Sequence, residues 1–471
     1  MSVDIKFVEL VNVLLVVLLF IMLSRRRDVA ALLLVSFLYG TLHFGFAVAA
    51  LASTDRVGVM TAMHLDGGGA LAKLSASSLI GVVVVLLGRL AYKDFSFNRE
   101  GDRAIIASML LVMVAIFAGY LFNIQDYDWL QLKNVISLEV MFAFALIAFL
   151  AIRNEKAINI ERWHMWGVIG LLMVGVVDCI AIYEVFSHSS WAGTMSSTGV
   201  MVYRASSILF NPNLLGFWAS LLYLGCAYGF EACKQYRKMM LWGMVLSSIA
   251  IYFSGSRSSG YLLLVALFAP TALMLLLRKR FIWLPLMLLP LTMLAIYVGA
   301  AWVAPRFVTS AVGWHEIALL GERFAVAPVQ LMNYLLMKTG HVINELYQLV
   351  GGRAINFSGL APSEIVESIE GRFVGEGRDA GWLVLYQDTG WFGLGGIVLA
   401  VSMLLAWGGR VCVANPYLSN IYAFAALLFF ILSGFVMRFQ IFPVWLFGGL
   451  VLVASLALWS RPETLASHLR G

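Results

Sequence analysis

Charge is what this sequence has least of. Only 12% of its 471 residues are Asp, Glu, Lys or Arg, where a soluble domain carries roughly 25%. Hydrophobic residues make up 61%, and the mean hydropathy is +0.89. So few charges exclude a water-soluble globular fold of this length. The net charge of +6 is therefore not interpreted as a nucleic-acid surface, and no nucleic-acid partner is expected.

Cysteine and metal-ligand patterns are scarce as well. The four cysteines form no CxxC pair, which argues against a disulfide framework and against a zinc site. No grouping of His, Asp and Glu has the spacing of a metal centre. We therefore predict a metal-independent protein that needs no cofactor.

Apolar stretches of around 20 residues fill the chain instead, and each is long enough to cross a bilayer core of about 30 Å. A transmembrane barrel would show alternating ten-residue strands. The prediction is an all-α, polytopic integral membrane protein with about 12–14 transmembrane helices. The spans are expected at approximately 7–24, 29–52, 70–88, 104–123, 133–152, 165–186, 212–231, 239–254, 259–277, 281–302, 382–409, 419–437 and 441–459.

The basic residues predict the orientation and the domain division. Most of the 32 Lys and Arg residues fall in short loops on one side, which the positive-inside rule assigns to the cytoplasm. This gives an N-terminal transmembrane bundle at 1–302, a long exocytoplasmic loop at 303–381, and C-terminal spans with a short cytoplasmic tail at 382–471. Helical spacing of apolar residues inside the loop predicts one or two amphipathic helices, and we expect the loop to form a folded lid.

Five arginines stand at span ends on the opposite, exocytoplasmic face. For each one alone, a role as a snorkelling side chain or orientation anchor explains the position as well as a functional role does. Five together, on the face that the positive-inside rule depletes, favour a polyanion site, because guanidinium groups bind phosphate oxygens in bidentate fashion. They are Arg204, Arg257, Arg306, Arg378 and Arg438.

The stretch SGSRSSG surrounds Arg257 with small residues, among them Ser256 and Ser258. Such residues expose backbone N–H groups at a helix start, which is a second anion-binding device. Together with the arginines they indicate a site for a lipid-linked phosphate. Asp379, beside Arg378, has two possible roles: it either accepts a proton from an attacking hydroxyl or caps the following helix.

Three stretches in this order resemble the O-antigen ligase and Wzy-type polymerase superfamily: FNPNLLG at 210–216, SGSRSSGYLLL at 254–264 and, after the long loop, RDAGWLVLYQDTGWFGLGG at 378–396. The resemblance covers roughly residues 200–410. It implies a membrane glycosyltransferase of GT-C-like architecture that uses an undecaprenyl-pyrophosphate-linked glycan as donor and a glycan hydroxyl as acceptor. It also implies a multi-pass protein of the bacterial cytoplasmic (inner) membrane, with its active site facing the periplasm.

The resemblance also implies roles for individual residues. Ligases of the family carry a histidine before the span that follows the loop, with a glycine in fixed spacing behind it. Here Asp379 stands in its place and Gly390 keeps the spacing, which favours a polymerase over a ligase. The implied catalytic residues are Asp379, Arg257 and Arg378, and the implied substrate-binding residues are Arg204, Arg306, Arg438, Ser256, Ser258, Asn211 and Asn213.

The expected reaction joins lipid-linked repeat units into a surface polysaccharide, with inversion at the anomeric carbon. Two alternatives stay open: a ligase that transfers the glycan to a lipid A core, and a flippase that moves the lipid-linked oligosaccharide. Membrane lipid, a chain-length regulator and a flippase are the further partners expected of a polymerase.

Overall fold

The described part of the protein is a bundle of helices. The computed structural model describes residues 100–122, 194–195, 201–202, 204, 212–232, 236–278, 381–414 and 417–434, with single positions at 21, 135, 139, 142, 143, 145, 146, 149 and 150. These residues form six helices: α1 Glu100–Phe122, α2 Pro212–Ala232, α3 Arg237–Ser254, α4 Arg257–Arg278, α5 Gly381–Ala414 and α6 Leu418–Ser433. They also form a two-residue antiparallel ladder, β1 Thr194–Met195 with β2 Met201–Val202.

Local sequence explains where several of these helices begin and end. Helix α2 begins at Pro212, because the fixed φ of proline suits the first helical position. Helix α3 ends at Ser254, because Gly255 adopts the left-handed conformation, with φ of 56°. The predicted spans at 212–231, 239–254 and 259–277 agree with α2, α3 and α4 to within two residues.

Helices α5 and α6 differ more from the predicted spans. Helix α5 is 34 residues long and is broken at Gly390, whose backbone has φ of 63° and ψ of −165°. Helix α6 ends at Ser433, although the apolar run suggested a span to residue 437. The N–H of Gly434 donates to the carbonyl of Ile431, which closes the last turn. Hydropathy registers the apolar run but not the turn that ends the helix.

Helix α1 packs antiparallel to α5. Gly119, near the end of α1, lies against Thr389 near the start of α5, and Ala115, one turn earlier, lies against Gly396. Small residues at these points let the two backbones approach closely, which is how helices associate in membranes.

Helix α6 links this pair to the rest of the bundle. It folds back on α5, since the Cys412 thiol donates to the carbonyl of Asn420 at 3.3 Å. It also runs antiparallel to α2, because Phe217 near the start of α2 stacks on Phe429 near the end of α6, with ring centroids 5.4 Å apart. The start of α2 therefore lies beside the end of α6.

Two of the described helices are long and apolar enough to span a membrane, Asp102–Phe122 and Thr389–Ala414. Large apolar side chains on these helices and on α3 also point away from the bundle, such as Val114 at 65% exposure and Trp242 at 66%. Water would make such exposure costly, whereas lipid favours it. The predicted spans at 7–24, 29–52, 70–88, 133–152, 165–186, 281–302 and 441–459, and the loop up to residue 380, lie outside the described residues apart from single positions.

Candidate functional site

Two of the segments singled out in the sequence meet at the end of the bundle where α2 and α4 begin. We call this place the junction and define it by Arg204, Asn213, Gly216 and the turn 254–259 between α3 and α4. Gly216 makes the close approach possible: a Cβ at this position would lie 2.6 Å from Cβ of Ser256 and 2.9 Å from the hydroxyl of Ser259. The glycine of FNPNLLG is thus explained by packing against SGSRSSG.

Hydrogen bonds within the turn hold its shape. Gly255 donates its N–H to the carbonyl of Tyr252 at 2.9 Å. The Ser254 hydroxyl donates to the carbonyl of Ile251 at 2.7 Å and accepts from the N–H of Ser256 at 3.2 Å. The left-handed backbone conformation is costly for residues with a Cβ, whereas glycine adopts it freely. Gly255 therefore permits the sharp reversal of the chain. The chain therefore passes from α3 into α4 with no loop between them.

Arg257 is the first residue of α4, and serines surround its backbone. The N–H of Gly260 donates to the carbonyl of Ser256 at 3.1 Å, which closes the first turn of α4. The hydroxyls of Ser256 and Ser259 lie 2.8 Å apart, and that of Ser259 donates to the carbonyl of Asn213 at 3.5 Å. The last bond joins the starts of α2 and α4, which are 46 residues apart in sequence.

Arg204 bridges the junction from the side of the short β-ladder. It follows β2 by two residues and is 7% exposed. Its Nε donates to the carbonyl of Ser254 at 2.7 Å, and its Nη2 donates to Oδ1 of the exposed Asn213, also at 2.7 Å. Both bonds carry the charge of the guanidinium group, which makes them stronger than neutral hydrogen bonds.

The electrostatics of the junction favour an anion. Helices α2 and α4 both begin here, and neither has an acidic residue in its first turn. The positive ends of both helix dipoles are thus not offset by a neighbouring carboxylate within those turns. The buried Arg204 adds a positive charge close by, which is partly offset by the negative end of α3 at Ser254.

The predicted site residues divide into those the structure describes and those it does not. Arg204, Asn213, Ser256 and the half-buried Ser258 are described and lie at the junction, and Arg257 is described by its backbone alone. Helix α5 begins at Gly381, two residues after Asp379. Five residues lie outside the described part of the chain: Asp379, Arg378, Arg306, Arg438 and Asn211.

Sequence reasoning passed over several residues of the junction. Gly216, Ser254 and Ser259 lie inside the FNPNLLG and SGSRSSG stretches, yet none was named as a site residue. Glu139 was also missed: Oε1 of this carboxylate is buried without a hydrogen-bond partner among the described residues. It lies within the predicted span 133–152, where a lone carboxylate is a signal in itself. In the same described portion no three His, Cys, Asp or Glu side chains form a metal-binding group.

No protein-family model matches the chain, and no curated protein matches it significantly. The described residues show a helical protein, with two helices that are long and apolar enough to span a membrane. The resemblance to the O-antigen ligase and Wzy-type polymerase superfamily rests on the stretches at 210–216, 254–264 and 378–396 alone.

Proposed function

We propose that the protein is a multi-pass membrane glycosyltransferase. In this proposal it polymerises undecaprenyl-pyrophosphate-linked oligosaccharides at the periplasmic face of the bacterial inner membrane, and the junction is its donor site. The pyrophosphate lies over the start of α4, where backbone N–H groups and the helix dipole attract an anion. Arg257 and Arg378 bind its oxygens, and Arg306 and Arg438 add positive charge at the same face.

One observation carries most of this proposal: two stretches 46 residues apart in sequence touch at the start of α4. Polar groups are costly at helix ends buried in a membrane protein, so a cluster of serines, an asparagine and an arginine needs a reason. Holding the start of α4 in place for a charged headgroup supplies that reason. The shared start of α2 and α4 further supports a site to which several predicted residues contribute.

The proposed chemistry is an in-line displacement. The oxygen of the acceptor hydroxyl forms a bond to the anomeric carbon of the donor sugar, and the bond from that carbon to the pyrophosphate oxygen breaks. Undecaprenyl pyrophosphate leaves with the electron pair, and the arginines stabilise the charge that develops on it. The hydroxyl proton passes to the carboxylate of Asp379, which precedes α5. The anomeric configuration is inverted because a single displacement occurs.

Reconstitution tests this function directly. The purified protein is placed in liposomes with lipid-linked oligosaccharide extracted from host cells that lack it, in which unused repeat units accumulate. Polymerisation predicts a ladder of longer glycans, all released by mild acid because they remain on pyrophosphate.

Each other outcome has a defined meaning. Transfer of the glycan to added lipid A core, with no ladder, would replace the polymerase by a ligase. Movement of the lipid-linked oligosaccharide across the bilayer without a new glycosidic bond would overturn the enzyme proposal.

A further inference from the structure

We propose that Arg204 is a positioning residue: it locks the start of α4 against the start of α2 and does not itself bind the donor. We call this set of contacts the lock. The evidence for it is the geometry of the junction, whereas its predicted effect on turnover rests on the proposed function. This separates Arg204 from the other arginines with which the sequence grouped it.

The hydrogen bonds of Arg204 support this role. Its Nε and Nη2 both donate to protein acceptors at 2.7 Å, and the side chain is buried. The carbonyl of Ser254 belongs to the last residue of α3, where the helix dipole is negative and favours a cation. To reach a pyrophosphate with these two nitrogens, the guanidinium group would have to abandon both partners and leave a buried carbonyl unpaired.

The two groups that accept hydrogen bonds from Arg204 also fix the position of the start of α4. Ser254 comes directly before the left-handed Gly255, so anchoring its carbonyl fixes the turn that leads to Arg257. Asn213 accepts from Arg204 through its side chain and from the Ser259 hydroxyl through its carbonyl. Arg204 therefore connects α3, α2 and α4 in a closed set of contacts.

A lysine cannot replace Arg204 in a lock of this kind. The guanidinium group donates in two directions from a planar fork, whereas an ammonium group is a point charge. If Arg204 were a phosphate ligand, lysine would keep the positive charge and lose the bidentate contact, so Arg204→Lys would weaken donor binding less than Arg204→Gln. The pair of variants Arg204→Lys and Arg204→Gln thus separates the two roles. Arg237→Gln is the matched control: this arginine is exposed, and its Nε donates to the carbonyl of Phe230 near the other end of α2.

The first measurement needs no substrate. Ser256 is replaced by cysteine, and its reaction with a maleimide is followed in the purified full-length protein, with the parent protein as the blank for the four native cysteines. Ser256 is 1% exposed, so labelling should be slow while the lock is intact. Adding Arg204→Gln or Arg204→Lys should speed labelling about tenfold or more, because the turn then opens locally. Adding Arg237→Gln should leave the labelling rate unchanged.

The second measurement is turnover in liposomes with the extracted lipid-linked oligosaccharide. Both Arg204 variants should lose about tenfold or more in kcat, with KM for the donor changed less than about threefold. Asn213→Ala removes one of the two bonds and keeps the arginine, so it tests the lock should the Arg204 variants fail to fold. It should speed labelling in the same direction, by a smaller factor.

Two results would overturn the inference. One is unchanged labelling in all three junction variants. The other is a rise of KM for the donor in both Arg204 variants, larger in Arg204→Gln than in Arg204→Lys, with kcat and the labelling rate unchanged, which would make Arg204 a direct ligand. If the unaltered protein forms no polymer at all, the proposed function fails, and the labelling result still decides the lock.

Discussion

Glycines allow helices to touch in two regions of this molecule, and the two contacts differ in chemistry. Between α1 and α5, Gly119 lies against the backbone of Thr389 and Gly393, and Gly396 lies against Ala115. At the junction Gly216 meets three serine side chains, with an arginine and an asparagine beside them. The first is a contact of small residues, and the second is a polar cluster.

This difference suggests that the contact between α1 and α5 holds helices together, whereas the junction is the candidate for a binding site. Small-residue contacts are a general means of packing helices in membranes, and they require no ligand. A polar cluster of the same compactness costs free energy unless all its groups are paired. We therefore expect substitutions between α1 and α5 to affect mainly folding, and those at the junction to affect mainly turnover.

Gly119→Ala should have the largest effect on stability. The added methyl group would collide with the backbone carbonyl of Thr389, which cannot rotate away, so α1 and α5 must separate. We expect a loss of about 3 kcal/mol in the free energy of unfolding, at the upper end for overpacked sites. Thermal unfolding in detergent measures this, and a melting temperature equal to that of the unaltered protein would refute the contact.

Gly216→Ala should cost less stability and more activity. Its methyl group would meet Cβ of Ser256 and the hydroxyls of Ser254 and Ser259, some of which can rotate. A destabilisation of about 2 kcal/mol is expected, together with a fall in polymer yield beyond the loss of folded protein. Yield per folded molecule in liposomes is the decisive quantity, and a normal value would remove the functional distinction between the two regions.

Gly255→Ala should destabilise the turn between α3 and α4. Its φ of 56° is left-handed, and a Cβ in that conformation costs about 1–2 kcal/mol. Gly255→Asn should recover part of this loss, since asparagine tolerates the left-handed region better. Unfolding of the two variants side by side checks the order, and equal stability of both with the unaltered protein would contradict the geometry.

Gly395→Ala should have the smallest effect, of opposite sign. Nothing lies within 4 Å of the position its Cβ would take, although Gly393 and Gly396 on the same helix are crowded. Alanine in a helix interior is favoured over glycine by roughly 0.5–1 kcal/mol. A slight rise in melting temperature is expected, and a marked fall would mean that α5 packs on this face as well.

The extent of prediction from sequence varied with the kind of signal. Helices α2, α3 and α4 were predicted closely, because Pro212 and Gly255 mark ends that local chemistry dictates. The break at Gly390 and the early end of α6 were not, since the spans were drawn from hydropathy, which carries no information on backbone angles.

The junction shows the same limit for the site. The sequence placed Arg204 and the SGSRSSG stretch on one face, and both are found at one end of the bundle. It did not reveal that Arg204 binds Ser254 and Asn213, because that pairing depends on how α3 ends beside the start of α2. The roles of Asp379, Arg378, Arg306 and Arg438 stay predictions. Glu139 could have been found, since a single carboxylate interrupts the apolar run 133–152.

The most direct test of the proposed donor site compares Arg257→Ala with Arg410→Ala in the liposome assay. Arg257 begins α4 at the junction, whereas Arg410 is an exposed arginine near the other end of α5. The proposal predicts that Arg257→Ala lowers the polymerisation rate by about a hundredfold or more, as expected when a group that stabilises transition-state charge is removed. Arg410→Ala should keep the normal rate. A folded Arg257→Ala protein with full activity would contradict the account.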